Sequence, residues 1–128
     1  MPISALESDT VCEVRPDATL LEVAAALVDC DVGLLVVTDS ETVVGVVSER
    51  DVVHSLAAGQ DPATTTAIDI AHTELAWADD TATVAEVAEE MMERYIRHVL
   101  VEDDGHLVGV VSVRDLLGAY ASADTFAE

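Results

Sequence analysis

A seven-residue stretch recurs in this chain at a spacing of 64 with six positions identical: Gly45-Val46-Val47-Ser48-Glu49-Arg50-Asp51 and Gly109-Val110-Val111-Ser112-Val113-Arg114-Asp115. Their types suit a small anionic ligand. An aspartate can accept from two adjacent ribose hydroxyls, an arginine can pair with phosphate, and a helix N-terminus favours an anion. Glycine weakens a strand interior unless a bulge or a close approach, here by a flat ring, requires it. A second reading needs no ligand. Ser48 and Ser112 are natural helix N-caps, and Asp51 and Asp115 stand three residues on, where a carboxylate favours the helix dipole. That reading explains serine and aspartate. It leaves out the glycines, and also Arg50 and Arg114, two of only five basic residues in the chain. Both readings stand on the residues alone.

The motif belongs to a longer duplication. Residues 17–56 align with 81–120 without a gap, and fourteen of the forty pairs are identical. Each copy reads β–α–β–β–α. Thr19-Leu20-Leu21-Glu22 and Thr83-Val84-Ala85-Glu86 fit the S/T-x-x-E capping box, so a helix begins at each threonine. Leu20, Val23, Ala24, Leu27 and Val28 then recur at helical spacing, as do Val84, Val87, Ala88, Met91, Met92 and Tyr95. Short β-branched runs follow, Leu34–Thr38 with Val43–Ser48 and Val99–Val101 with Leu107–Ser112, joined by polar turns into hairpins. A second helix starts after Ser48 and after Ser112. Residues 58–66 form the linker, which divides the chain into 1–60 and 61–128. A unit of about 60 residues buries too little alone. The expectation is a mixed α+β body of two tandem copies packed with pseudo-two-fold symmetry.

Composition sets the solvent. Twenty-six acidic residues face five arginines and no lysine, a formal charge of −21. Such a chain repels itself at low salt, whereas molar salt shortens the Debye length to about 3 Å and removes most of that cost. The balance reads as adaptation to a salt-rich, archaeal cytoplasm. Disorder is excluded by the abundance of aliphatic residues. A nucleic-acid partner is not expected, because it needs a basic face. No apolar run approaches the ~20 residues that cross a bilayer, and the first residues carry neither the charge nor the apolar stretch of a secretory signal. The protein is expected in the cytoplasm, away from membranes.

Other reactive residues point nowhere in particular. Cys12 and Cys30 lack CxxC spacing and a third thiol, so two buried, reduced cysteines are expected. His54, His72, His98 and His106 form no metal-binding face on a helix, and no metal site is expected. Asp79-Asp80 and Glu102-Asp103-Asp104 lack EF-hand spacing and read as solvated acidic turns. No nucleophile–base pairing or phosphate-cradling glycine loop suggests an enzyme.

With Ile96-Arg97-His98-Val99-Leu100-Val101 ahead of it, the Gly-Val-Val-Ser-x-Arg-Asp pattern resembles the cystathionine β-synthase (CBS) domain, and two copies resemble a CBS pair, or Bateman module. The resemblance implies a regulatory module with two clefts for adenine-containing ligands such as AMP, ADP, ATP, S-adenosylmethionine or NAD. No cofactor is required beyond that ligand. It also implies which residues bind. One cleft would take Ser48, Arg50 and Asp51 with Ala76, Ile96 and Arg97; the other would take Ser112, Arg114 and Asp115 with Cys12, Val32 and Gly33. Small apolar groups near Cys12 and Ala76 would hold adenine, the aspartates ribose and the arginines phosphate.

The chain departs from the family pattern in places. Glu7 and Ala71 stand where a Ser or Thr is common, and Val36 and Leu100 where a Pro is usual. Glu7 repels phosphate and Gly33 adds no compensating charge, so the Asp51 cleft, with Arg97, is the favoured nucleotide site. With no effector domain fused to it, the module is expected to act through a partner protein and to form a homodimer. The competing expectation is a structural or interaction module whose clefts have lost their ligand.

Overall fold

The computed structural model describes residues 2–5 and 11–118. Two compact units emerge, one of residues 11–75 and the other of residues 2–5 with 76–118. The short N-terminal turn Ile3–Ala5 thus joins the second repeat, where the Ile3 amide donates to the Ala82 carbonyl at 2.7 Å. Ile3 is fully buried in that unit's core with Val87, Val99, Val101 and Val111.

The first repeat runs β1 (Glu13–Val14), α1 (Leu20–Cys30), β2 (Leu34–Asp39), β3 (Thr42–Ser48) and α2 (Glu49–Ala57), followed by the short α3 (Ala67–Ile70). The second runs β4 (Trp77–Asp79), α4 (Val84–Arg94), β5 (His98–Asp103) and β6 (His106–Ser112). A helix, α5, begins at residue 113 and continues to residue 118, the last one described. Each repeat builds a three-stranded sheet in sequence order, its first pairing parallel and its second antiparallel. The α+β tandem architecture expected from the duplication is the one observed.

Local chemistry accounts for these elements. Thr19 caps α1 as expected: its hydroxyl accepts the Glu22 amide at 3.2 Å, and Glu22 accepts the Thr19 amide at 3.2 Å. Thr83 accepts the Glu86 amide at 3.1 Å and caps α4 by that single bond, without the reciprocal bond of the expected capping box. Both hairpins turn on two residues with positive φ, Ser40-Glu41 (49° and 73°) and Asp104-Gly105 (52° and 80°). That sign pattern is the tight turn whose twist matches flanking strands. The ladder slips one residue beyond each turn. Val37 pairs with Gly45 and Thr38 with Val43, leaving Val44 unpaired, and Val108 is left out in the same way. Gly45 and Gly109 therefore sit at bulges.

Helix faces are narrower than the apolar spacing suggests. Leu20, Val23 and Leu27 are buried on α1, and Val84, Val87 and Met91 on α4. Val28, Met92 and Tyr95 were expected on the same stripes but are exposed by 78%, 76% and 94%. Tyr95 has already left the helix: it is the C-cap, in the left-handed conformation at φ 54°. Among the described residues no helix is long and apolar enough to cross a membrane.

One expectation is overturned. Cys12 and Cys30 are not free thiols; they form a disulfide, with Cα atoms 6.6 Å apart. The topology explains it. Strands β1 and β2 are parallel, so α1 must run back antiparallel to both, and its last residue, Cys30, returns to the residue before β1, Cys12. A separation of 18 residues is about the length of that excursion. The second repeat has Ala76 and Arg94 at the equivalent positions and has no such bond. Loop-closure entropy for this length corresponds to about 3 kcal/mol. Reduction, or Cys30→Ser, is expected to lower the first unit's unfolding midpoint accordingly in a denaturant titration; an unchanged midpoint would show that the cross-link contributes no stability.

Candidate functional site

The repeated motif sits at the junction of strand and helix in both units, and there the capping geometry is fully formed. The Ser48 amide donates to Asp51 Oδ2 at 2.8 Å, and the Asp51 amide donates to Ser48 Oγ at 3.2 Å. In the second repeat the same bonds run from the Ser112 amide to Asp115 Oδ2 at 2.9 Å and from the Asp115 amide to Ser112 Oγ at 3.1 Å. Both aspartates are half-buried. The capping bonds consume one oxygen of each carboxylate and fix the direction of the other.

The basic residues stay outside. Arg50, Arg97 and Arg114 are exposed. Arg50 lies 3.5 Å from His54, Nε to Nε2, a long and weak contact. The backbones of two residues expected in the cleft walls, Gly33 and Arg97, meet the helix starts. The Glu49 amide donates to the Gly33 carbonyl at 3.0 Å, and the Val113 amide donates to the Arg97 carbonyl at 2.9 Å. A Cβ at Gly33 would lie 2.8 Å from Glu49 Oε1, the far end of an exposed side chain that can swing aside. Cys12 and Ala76 occupy matching places: the Cys12 carbonyl accepts the Val36 amide at 2.9 Å, and the Ala76 carbonyl accepts the Leu100 amide at 2.8 Å. Val32 and Ile96, equivalent in the duplication, are both half-buried. Glu7 lies outside the described residues. A shallow concavity of about 440 Å³, lined by Val14, Arg15, Asp17, Ala18 and Glu22, holds none of the expected site residues.

With two β–α–β–β–α units and a shared strand–helix motif in place, the comparison with known proteins is decisive. The family model described as the CBS domain matches twice, over residues 4–58 and 67–122. The chain belongs to the CBS domain family. An uncharacterized 17.7 kDa protein from Acidianus ambivalens is 30% identical over 125 residues, covering 96% of this chain and 75% of its own. Hypoxic response protein 1 of Mycobacterium tuberculosis is 34% identical over 100 residues, 77% of this chain and 70% of that protein. Among solved structures, a CBS domain protein from Pyrobaculum aerophilum complexed with AMP matches with a TM-score of 0.79 and 35% identity, over 95% of this chain and 99% of that one.

Two features of this CBS pair escaped the sequence. Gly45 is needed for close approach, but the approaching group belongs to the chain. A Cβ there would lie 3.0 Å from Ala71 Cβ and 3.1 Å from the His72 carbonyl oxygen, leaving no gap for a ring at that atom. His72, read as one of four histidines without a role, bonds through Nε2 to Asp51 Oδ1 at 2.8 Å. The two residues are 21 apart and belong to no periodic pattern. The bridge between Val46 and His72 brings them together.

The acidic turns behave as electrostatics requires. Asp79 Oδ1 accepts the Thr81 amide at 3.0 Å and the Thr81 hydroxyl at 2.7 Å, and those bonds hold its carboxyl below the usual range. Asp80 is pushed the other way, first by desolvation and then by repulsion from Asp103 and Asp79. Among the described residues no cluster of three or more His, Cys, Asp or Glu is arranged to hold a metal. Folding thus favours the protonated form of Asp80: its contribution is stabilising below the ordinary carboxylate range and is lost as pH rises through the raised value. Near neutral pH, Asp80→Asn is expected to raise the melting temperature at about 0.1 M KCl, and much less at molar KCl where the Debye length falls to about 3 Å. A gain that ignores salt would show that desolvation alone acts on Asp80.

Proposed function

We propose that the chain is a non-catalytic sensor module that binds an adenine-containing ligand and passes its occupancy to a partner protein. The class comprises AMP, ADP, ATP, S-adenosylmethionine and NAD, and the ligand is regulatory, so no cofactor is required. Asp51 and Asp115 accept ribose hydroxyls, while Arg50 and Arg114, next to Ser48 and Ser112, pair with phosphate oxygens. Cys12, Val32 and Gly33, with Ala76, Ile96 and Arg97, supply the walls that the family resemblance assigns. The departures at Glu7 and Gly33 favour the Asp51 set for a phosphate-bearing ligand.

One observation carries this reading: each repeat holds a carboxylate in fixed orientation by its serine amide, beside an exposed guanidinium at a helix start. The AMP complex of the 35%-identical family member supports the ligand class. Occupancy becomes a signal if the ligand favours one of two conformations that a partner distinguishes. We further read the module as a cytoplasmic homodimer adapted to high salt. In the first unit α1 and α2 leave Leu21, Val28, Val53 and Leu56 exposed, and the second unit exposes Met92, Tyr95 and Leu117. A second copy would cover such apolar faces. The competing reading, an interaction module without ligand, is favoured by the contact that already occupies Asp51 Oδ1.

Thermal unfolding in molar KCl, with AMP, ATP, S-adenosylmethionine and NAD added in turn, separates the two. A ligand at 100 times its dissociation constant stabilises by about 2.7 kcal/mol. The combined Asp51→Ala and Asp115→Ala changes are expected to abolish the shift. If none of the four moves the transition of the unaltered protein, the sensor reading falls and the interaction module stands.

A further inference from the structure

His72 is pinned against the start of α2 by its backbone. Its amide donates to the Val46 carbonyl at 2.9 Å, and the Val46 amide donates to the His72 carbonyl at 3.0 Å. Beside this bridge, the missing side chain of Gly45 makes room for residues 71–72. From that anchored position the imidazole reaches Asp51, Nε2 to Oδ1 at 2.8 Å. It donates there either as the Nε2–H tautomer or with both nitrogens protonated. Asp51 Oδ2 already accepts the Ser48 amide, so each oxygen of this carboxylate carries one protein donor. The equivalent Asp115 is bonded to Ser112 and, among the described residues, to nothing else.

The two partners differ in freedom. Asp51 has a side chain exposed by 16% and is held by the cap, whereas the His72 side chain is exposed by 68%. If the contact opens, the ring swings into solvent and the carboxylate stays. We propose that His72 is a latch on Asp51: it competes with ribose hydroxyls for Oδ1, so ligand enters the first-repeat motif only by displacing the imidazole. The inference rests on the reading of Asp51 as a ribose acceptor. His72 is a positioning residue and sets the threshold concentration for the Asp51 site.

The test is calorimetric titration of the full chain with AMP and with adenosine in molar KCl. An Asp115→Ala background leaves Asp51 as the remaining motif carboxylate. His72→Ala is expected to tighten AMP about tenfold, the low end of the worth of one competing hydrogen bond to a charged acceptor, as suits an exposed ring. His72→Gln keeps a donor at similar reach and is expected to stay within about twofold of the parent. A merely structural role would weaken binding in both variants, so tightening by alanine alone is the distinguishing sign. Unchanged or weaker AMP binding by His72→Ala overturns the latch. So does a loss confined to AMP with adenosine unaffected, which would make the ring a phosphate contact. AMP bound by the parent with no gain in His72→Ala sinks the latch alone; AMP bound by neither sinks the reading of Asp51 as a ribose acceptor and the latch with it, and titration of the chain with Asp115 intact shows whether the second motif still binds. Melting curves of each variant exclude unfolding as the cause of any loss.

Discussion

The reciprocal bond between a serine and an aspartate three residues later is the constraint on which the rest of this molecule turns. It ends a strand and starts a helix in a single step, satisfying two helix amides that would otherwise lack partners. It also commits one carboxylate oxygen and thereby aims the other. Capping and ligand binding are therefore not rival explanations of Ser48-Asp51 and Ser112-Asp115. The cap supplies the preorganisation that a ribose acceptor needs, because a carboxylate already held in place loses little rotamer freedom on binding. Neighbouring residues then decide what the aimed oxygen meets. In the first repeat that group is His72, admitted by the bare backbone of Gly45.

Much of this was legible in the sequence because it is local or periodic. The offset of 64 reveals the duplication, Thr19 and Thr83 mark helix starts, and the polar residues between β-branched runs mark the hairpins. What failed was non-local. The Cys12–Cys30 bond depends on α1 returning antiparallel to β1, a geometry that spacing rules for metal and redox motifs do not encode. The contact of His72 with Asp51 depends on a two-bond bridge outside the main ladders. Helix faces failed for a subtler reason. Val28 and Met92 fit a helical period, but each stripe is used only as widely as the three-stranded sheet beneath it. Tyr95 fits the period too, yet the helix has ended one residue before it.

Duplication fixed the fold twice and the chemistry once. Cys12 and Cys30 correspond in the duplication to Ala76 and Arg94, and Gly33 corresponds to Arg97. The backbone bonds at these positions are conserved in kind: a helix amide meets the carbonyl of residue 33 or 97, and a strand amide meets that of residue 12 or 76. Side chains were free to diverge because the main chain carries the architecture. The first repeat spent its freedom on a covalent brace, the second on positive charge.

That distribution of charge bears on how so acidic a chain can hold an anion. At −21, the molecule opposes an approaching phosphate at every distance within a Debye length. At about 0.1 M salt that length is about 10 Å and spans much of a small unit; at molar salt it is about 3 Å. In the latter solvent only groups in contact with the ligand count, and the distant carboxylates are silent. Of five arginines, Arg15 and Arg94 are paired with Asp17 and Glu90. The remaining three, Arg50, Arg97 and Arg114, are all among the expected binding residues and all exposed. The three exposed guanidinium groups lie on the duplicated motif and at Arg97, and at molar salt their local charge is felt while that of the distant carboxylates is not.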